Sequence, residues 1–219
     1  MVEANIAKGY KFMVITDHSQ SLKVANGLQV ERLLRQNEEI KKFNEEYDEI
    51  DIYSGTEMDI LPDGSLDYDN EVLAQLDYVI AAIHQSFNQS EDEIMKRLEV
   101  ACKNPYVRHI AHPTGRIIGR RPGYKPNIEK LMKLAEETNT ILEINANPKR
   151  LDLNAETVRK YPNVKLTINT DAHHTNHLEF MKYGVATAQK GFVAKDRVVN
   201  ALSREEFKSL IENNIKLRK

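Results

Sequence analysis

The residues best suited to chemistry are four of the seven histidines and a few acids, each placed where a short β-rich run comes to its end. The motif ITDH carries Asp17 and His18, GTE carries Glu57, AAIH carries His84, IAH carries His112, and NTDAH carries Asp171 and His173. Imidazole and carboxylate together form the donor set of Zn²⁺, Mn²⁺ or Fe²⁺, whereas Mg²⁺ and Ca²⁺ prefer all-oxygen shells. The lone cysteine, Cys102, excludes an internal disulfide and a thiolate cluster, so a metal site here has to use nitrogen and oxygen. Cys102 itself reads as a buried helix residue. A cluster of two or more such ions suits phosphate-ester hydrolysis, because one can turn water into hydroxide while another neutralises charge on the phosphoryl oxygens and leaving group. Glu57 is the natural bridge, since a carboxylate can offer one oxygen to each ion. The other three histidines read as structural or surface residues: His109 and His174 have the opposite strand parity to His112 and His173, and His177 falls at a helix start.

For ligands so far apart in sequence to meet, the strand ends must converge on one face. The hydrophobic pattern predicts strands at 11–16, 50–56, 78–83, 107–111, 140–145 and 164–170, each separated from the next by helical sequence. A long helix is expected over about Leu28 to Tyr47, with Val30, Leu33, Leu34, Asn37, Ile40 and Phe43 near one face. Shorter helices follow, near Asn70–Gln75, from the box Ser90/Glu93 to Cys102, from the cap Asn127 to Glu137, over Asn154–Lys160, and from the box Ser203/Glu206. Strands alternating with helices signal parallel βαβ units rather than hairpins. In a parallel α/β barrel the carboxyl ends of the strands surround one cavity. No glycine-rich phosphate loop is present, which makes a nucleotide-binding doubly wound sheet the weaker alternative.

With 219 residues, 41% hydrophobic and 29% charged, the chain fits one domain over 1–219. No apolar run approaches the roughly 18 residues of a membrane span, and the N-terminus lacks the apolar core of a signal peptide, so a cytoplasmic protein is expected. A net charge of −2 argues against a surface built to hold duplex DNA through many phosphates. Any nucleic-acid contact is therefore local, and the loop GRIIGRRPGYKP, with Arg116, Arg120, Arg121 and Lys125, is the candidate phosphate patch. Arg120, Arg121 and Arg150 are the candidate phosphate clamps, because guanidinium forks match phosphate geometry.

At these motifs the sequence resembles the PHP (polymerase and histidinol phosphatase) family, through TDH, G-x-E, a strand-end His, AHP and D-x-H. It is more similar still to the PHP domain at the C-terminus of bacterial family X DNA polymerases, through HPTGRIIGRRPGY, LEINANPKRLDL, NTDAHH and GVATAQKGFVAKDRVVNALSREEF. The resemblance implies a distorted seven-stranded TIM-like (β/α) barrel with up to three metal ions, Mn²⁺ or Zn²⁺ and, as a further option, Fe²⁺. It also implies a metal-dependent 3′–5′ exonuclease or phosphatase of DNA repair acting on DNA 3′ ends beside upstream polymerase domains. The implied ligands are His18, Glu57, His84, His112, Asp171 and His173, with all but His18 forming the catalytic set. The family opens with a strand carrying H-x-H and then an Asp, and this segment has no counterpart here. Six strands are expected instead of seven, with Met1 an internal methionine of a longer parent. By the resemblance, the ion held by Glu57, His84 and His112 keeps all its protein ligands. The ion at Glu57 and Asp171 lacks two histidines, and the ion at His18 and His173 lacks an Asp. Asp17 is expected to orient His18 or a water.

Without that strand the segments 11–16 and 164–170 should be open edges, leaving a gap or a homo-oligomer that covers the seam. Two other functions compete with the exonuclease: a small-molecule phosphatase of the histidinol phosphatase type, and an inactive scaffold or DNA-positioning module.

Overall fold

The computed structural model describes residues 1–213. The described residues form six strands, β1 (Phe12–His18), β2 (Asp51–Asp59), β3 (Tyr78–Ala82), β4 (Val107–Ile110), β5 (Ile141–Asn145) and β6 (Leu166–Asn169). They make one sheet in sequential order, every neighbouring pair parallel. The helices are α1 (Val2–Ala7), α2 (Val30–Glu46), α3 (Asn70–Leu73), α4 (Glu91–Lys103), α5 (Ile128–Glu137), α6 (Ala155–Lys160), α7 (Met181–Lys190) and α8 (Arg204–Glu212). Ser90 with Glu93 and Ser203 with Glu206 form reciprocal capping boxes, and Asn127 and Asn154 cap α5 and α6. These satisfy donors that a helix start otherwise leaves unpaired.

Strand parity divides the chain into two apolar layers. Val79, Ala81 and Ile83 face outward with Leu142, Ile144, Leu166 and Ile168, and pack against Ile94, Leu98, Cys102, Leu131 and Ala135 of the helices. Tyr78, Ile80 and Ala82 face inward and join Phe12, Val14, Tyr53, Ile141 and Phe207, so residues from β1 to β5 share one interior. The sheet is therefore a curled half-barrel. α8 plugs its amino-terminal end: Phe207 stacks on Phe12 with ring centroids 4.0 Å apart, and the buried Arg108 donates to the carbonyls of Leu210 and Ile211 at 2.7 and 2.8 Å. With one end plugged by apolar rings, the cavity left for chemistry is at the carboxyl ends of the strands.

Among the described residues β1 and β6 pair with β2 and β5 alone, so the sheet is open between them. Part of the β6 edge is covered from within the chain. Leu166 bridges Val198, and Asn200 both accepts from Ile168 N–H (2.9 Å) and donates to Ile168 C=O (2.7 Å). Two details depart from the sequence pattern. Phe43 is 47% exposed, because α2 buries the narrower stripe Leu33, Asn37 and Ile40. His109 is wholly buried inside the barrel, because the register between β3 and β4 shifts at this point and turns it inward, where Nε2 meets Thr167 Oγ1 at 2.9 Å.

Candidate metal centre

Glu57 lies two residues before the end of β2 and points into the cavity. Its Oε1 is 2.8 Å from His112 Nε2 and 3.2 Å from His84 Nε2, and its Oε2 is 3.6 Å from His18 Nδ1. Ligand atoms of His18, Glu57 and His84 all lie within 4.8 Å of one another. The His18 and His84 rings meet edge to face at 5.1 Å, and His84 and His112 at 5.2 Å. Four strand ends thus bring one carboxylate and three imidazoles together.

His173 and Asp171 stand at the other side of the opening. The His173 ring is 6.1 Å from that of His18 and its side chain is 63% exposed, while Asp171 lies 3.5 Å from His173 Nδ1 and 3.4 Å from Arg150 Nε. Simple strand alternation does not bring Asp171 and His173 together: β6 stops at Asn169, and Asp171 sits at φ 52° in a turn. His112 likewise lies beyond its strand at φ 29°. Such left-handed backbone in non-glycine residues persists where the surroundings enforce it, and it clusters at functional sites.

The electrostatics favour positive charge at Glu57. Burial alone would raise the Glu57 carboxyl, but hydrogen bonds with His112 and His84 outweigh it and hold the group well below the usual carboxylate range. Burial opposes protonation of His84, yet its bonds to Asp59 and Glu57 lift it to about 9. His18 is pushed down, chiefly by burial. Nδ1 of His18 and Nδ1 of His112 are buried without hydrogen-bond partners. A buried anion among imidazoles, some with unpartnered nitrogens, fits a divalent cation with mixed nitrogen and oxygen ligands.

The carboxylate that meets a candidate ligand is Asp59, and the expectation for Asp17 is corrected: it is turned away from the cluster. Asp17 has the opposite parity to His18 on β1, is exposed, and accepts from Gln36 Nε2 at 2.6 Å. Asp59, 1% exposed, is 2.5 Å from His84 Nδ1, which leaves Nε2 of that ring toward Glu57. Ser21 Oγ donates to Asp59 at 2.7 Å, and Asp59 N–H donates to Ser19 Oγ at 2.8 Å, so the carboxylate is itself held. Asp59 is legible through parity, two residues after Glu57, but not as a strand-end motif. A carboxylate behind a metal-binding imidazole fixes its tautomer and raises its basicity, and losing it typically costs ~10–100-fold in metal affinity. Asp59→Asn is expected to weaken Zn²⁺ or Mn²⁺ binding by that factor in a competition titration against a chromogenic chelator; unchanged affinity would remove Asp59 from the site.

The arginines divide by environment. Arg116 donates to the carbonyls of Arg150 and Leu151, and Ile118 N–H reaches Lys149 C=O at 2.7 Å, which ties the β4–α5 and β5–α6 loops together. Arg121 donates twice to Gly115 C=O and covers the Phe87 ring at 4.0 Å, so it is a strut of the loop rather than an open clamp. Arg120 and Lys125 are exposed. Arg150 is beside Asp171, with Nη1 buried and unpartnered. His174 is exposed and accepts from Asn176 N–H, and His177 Nδ1 accepts from His173 N–H; both lie outside the Glu57 cluster.

The fold and the cluster together define a parallel α/β half-barrel with histidines and acids gathered at the carboxyl ends of its strands. A solved structure of this fold is histidinol phosphate phosphatase from Lactococcus lactis, complexed with zinc, L-histidinol and phosphate, at a TM-score of 0.64 and 18% identity over 88% of this chain and 86% of that one. In sequence, the chain is 55% identical over 98% of its length to the DNA polymerase/3′-5′ exonuclease PolX of Bacillus subtilis, of which it spans 38%. It is 27% identical over 88% of its length to a probable phosphatase of Thermoanaerobacter sp. (strain X514), of which it spans 79%. No protein-family model matches the chain. No described helix is long and apolar enough to cross a membrane.

Proposed function

We propose that residues 1–219 form one metal-dependent phosphoesterase domain of the PHP type that removes nucleotides from DNA 3′ ends, in the setting of a family X DNA polymerase and DNA repair. The observation that carries the chemistry is Glu57 Oε1 lying between Nε2 of His84 and Nε2 of His112. Similarity to PolX along almost the whole chain favours a polynucleotide substrate. Glu57, His84 and His112 would hold one ion, and His18, Asp171 and His173 would line the adjoining positions. The nitrogen and oxygen donors suit Mn²⁺ or Zn²⁺, with Fe²⁺ a further fit. A bound divalent ion supplies Lewis acidity and lowers the pKa of its water.

The chain's own residues do the rest. Asp59 fixes the His84 tautomer, and the partly exposed His173 stands at the mouth through which a strand end would enter. Arg150, largely buried and paired with Asp171, lies beside the opening, where its guanidinium charge can help neutralise a phosphoryl group. Arg120, exposed on the β4–α5 loop, can reach phosphates farther along the strand. Arg120→Ala is expected to raise KM for an oligonucleotide several-fold and leave kcat unchanged; identical KM values would exclude Arg120 from the DNA path.

The test is Mn²⁺- or Zn²⁺-dependent release of mononucleotides from a labelled 3′ end by the purified chain, with a chelated control. A second reading, hydrolysis of a small phosphomonoester, is favoured by relatives named as probable phosphatases and by the histidinol phosphate phosphatase fold. Turnover of a small phosphomonoester without action on DNA would establish that reading instead. Metal-independent inertness toward both substrates would favour a scaffold.

A further inference from the structure

Beneath the candidate metal ligands lies a carboxylate that the proposed reaction does not use. Glu143, on β5, is 3% exposed and spans from β4 to β6 inside the barrel. Its Oε2 accepts the main-chain N–H of His112 at 2.6 Å and Asn145 Nδ2 at 3.2 Å, and its Oε1 accepts Asn169 Nδ2 at 3.2 Å. Asn145 Nδ2 also reaches Asp171 Oδ2 at 3.2 Å. The orientation of that amide is set, because Asn145 Oδ1 accepts from Asn147 N–H at 3.0 Å, which leaves Nδ2 to face the two acids.

One carboxylate therefore holds the backbone of His112 directly and the side chain of Asp171 through a single amide. These two residues come from different strands, and both occupy left-handed backbone, His112 at φ 29° and Asp171 at φ 52°. Neither strand's own hydrogen-bond ladder reaches them, since β4 ends at Ile110 and β6 at Asn169. Something outside the ladders has to set their separation, and the Glu143–Asn145 pair is the connection between them.

We propose that Glu143 is a positioning residue that registers His112 and Asp171 against each other, so that ligands from opposite sides of the centre act as one set. The inference rests on the metal-centre reading. Glu143 touches no substrate; it acts through the ligands. A bland alternative is a buried polar network that is satisfied and serves packing alone.

Co²⁺ binding to the purified chain separates the two, because its visible absorption reports ligand geometry as well as affinity. In Glu143→Gln either His112 N–H or Asn169 Nδ2 faces an amide N–H instead of an acceptor. Co²⁺ affinity is then expected to fall ~10–100-fold, the range for residues that hold metal ligands, with an altered visible band and an unchanged far-UV circular dichroism spectrum of the metal-free protein. Asn145→Ala keeps the bond from Glu143 to His112 and removes the link to Asp171. It is expected to weaken Co²⁺ binding too, and the double variant should lose less than the product of the two single effects, because both act through one connection. If Glu143→Gln does not fold, Asn145→Ala decides by itself. Wild-type affinity and spectrum in the folded variants would overturn the positioning role while leaving the metal centre standing. Failure of the unaltered chain to bind Co²⁺ would overturn both.

Discussion

Glu57→Gln is expected to abolish metal binding, and with it the proposed metal-dependent hydrolysis, while the chain keeps its fold. The substitution preserves volume and removes one negative charge. That charge touches the Nε2 atoms of His84 and His112 and faces His18 Nδ1 across 3.6 Å. No other described acid reaches three of the candidate imidazoles among the ion pairs present. Loss of a carboxylate that merely orients a ligand typically costs ~10–100-fold, so loss of the central one is expected to exceed about 100-fold in activity. The proton balance changes as well, because Glu57 is one of the two acids that hold the His84 proton. Metal content after dialysis and the rate of nucleotide release both measure the effect. A Glu57→Gln protein with full metal content and activity would overturn the assignment of the centre.

The second large effect is on stability in acid and comes from His109. Burial, the chief cause, pushes this imidazole down to about 3, against about 6.5 in an unfolded chain. Its folded pKa is depressed, so the unfolded chain binds the extra proton first. The stability from keeping the ring neutral is full above about pH 6.5 and is lost as pH falls from 6.5 toward 3. The difference of roughly 3.5 units corresponds to at most about 5 kcal/mol. Glu143 works in the other direction, since burial and then the Asp171 charge push it upward against the N–H donors of His112 and Asn169, so its contribution falls as pH rises. The His109 term is therefore isolated by comparison with His109→Gln, which keeps a donor near Thr167 Oγ1. Urea unfolding in the presence of a chelator, from pH 7.5 to 4.5, should show the unaltered chain losing stability relative to the variant as pH falls. Parallel curves would mean that His109 is not the group responsible.

The order of elements and the place where the candidate ligands gather were legible along the chain. Alternating apolar runs and capping boxes are local signals, because a strand or helix start is decided by residues within a turn or two of it. The strand-end motifs singled out His18, Glu57, His84 and His112, which the structure gathers within hydrogen-bonding or ring-contact distance. Strand parity holds along β2, where Glu57 and Asp59 face the same side, and is broken where a ladder ends or slips. His109 turns inward at a register shift, and His112 and Asp171 leave their strands through left-handed turns.

What the sequence by itself determined is the donor chemistry, the parallel α/β plan and the face on which the donors meet. Only the tertiary structure decided the partners: Asp59 meets the His84 ring, Glu143 takes the main-chain N–H of His112, and Arg150 lies beside Asp171 while Arg121 turns to the Gly115 carbonyl. The physical reason is that residue type sets what a side chain can bond, whereas the partner it bonds is chosen by packing between segments far apart in the chain.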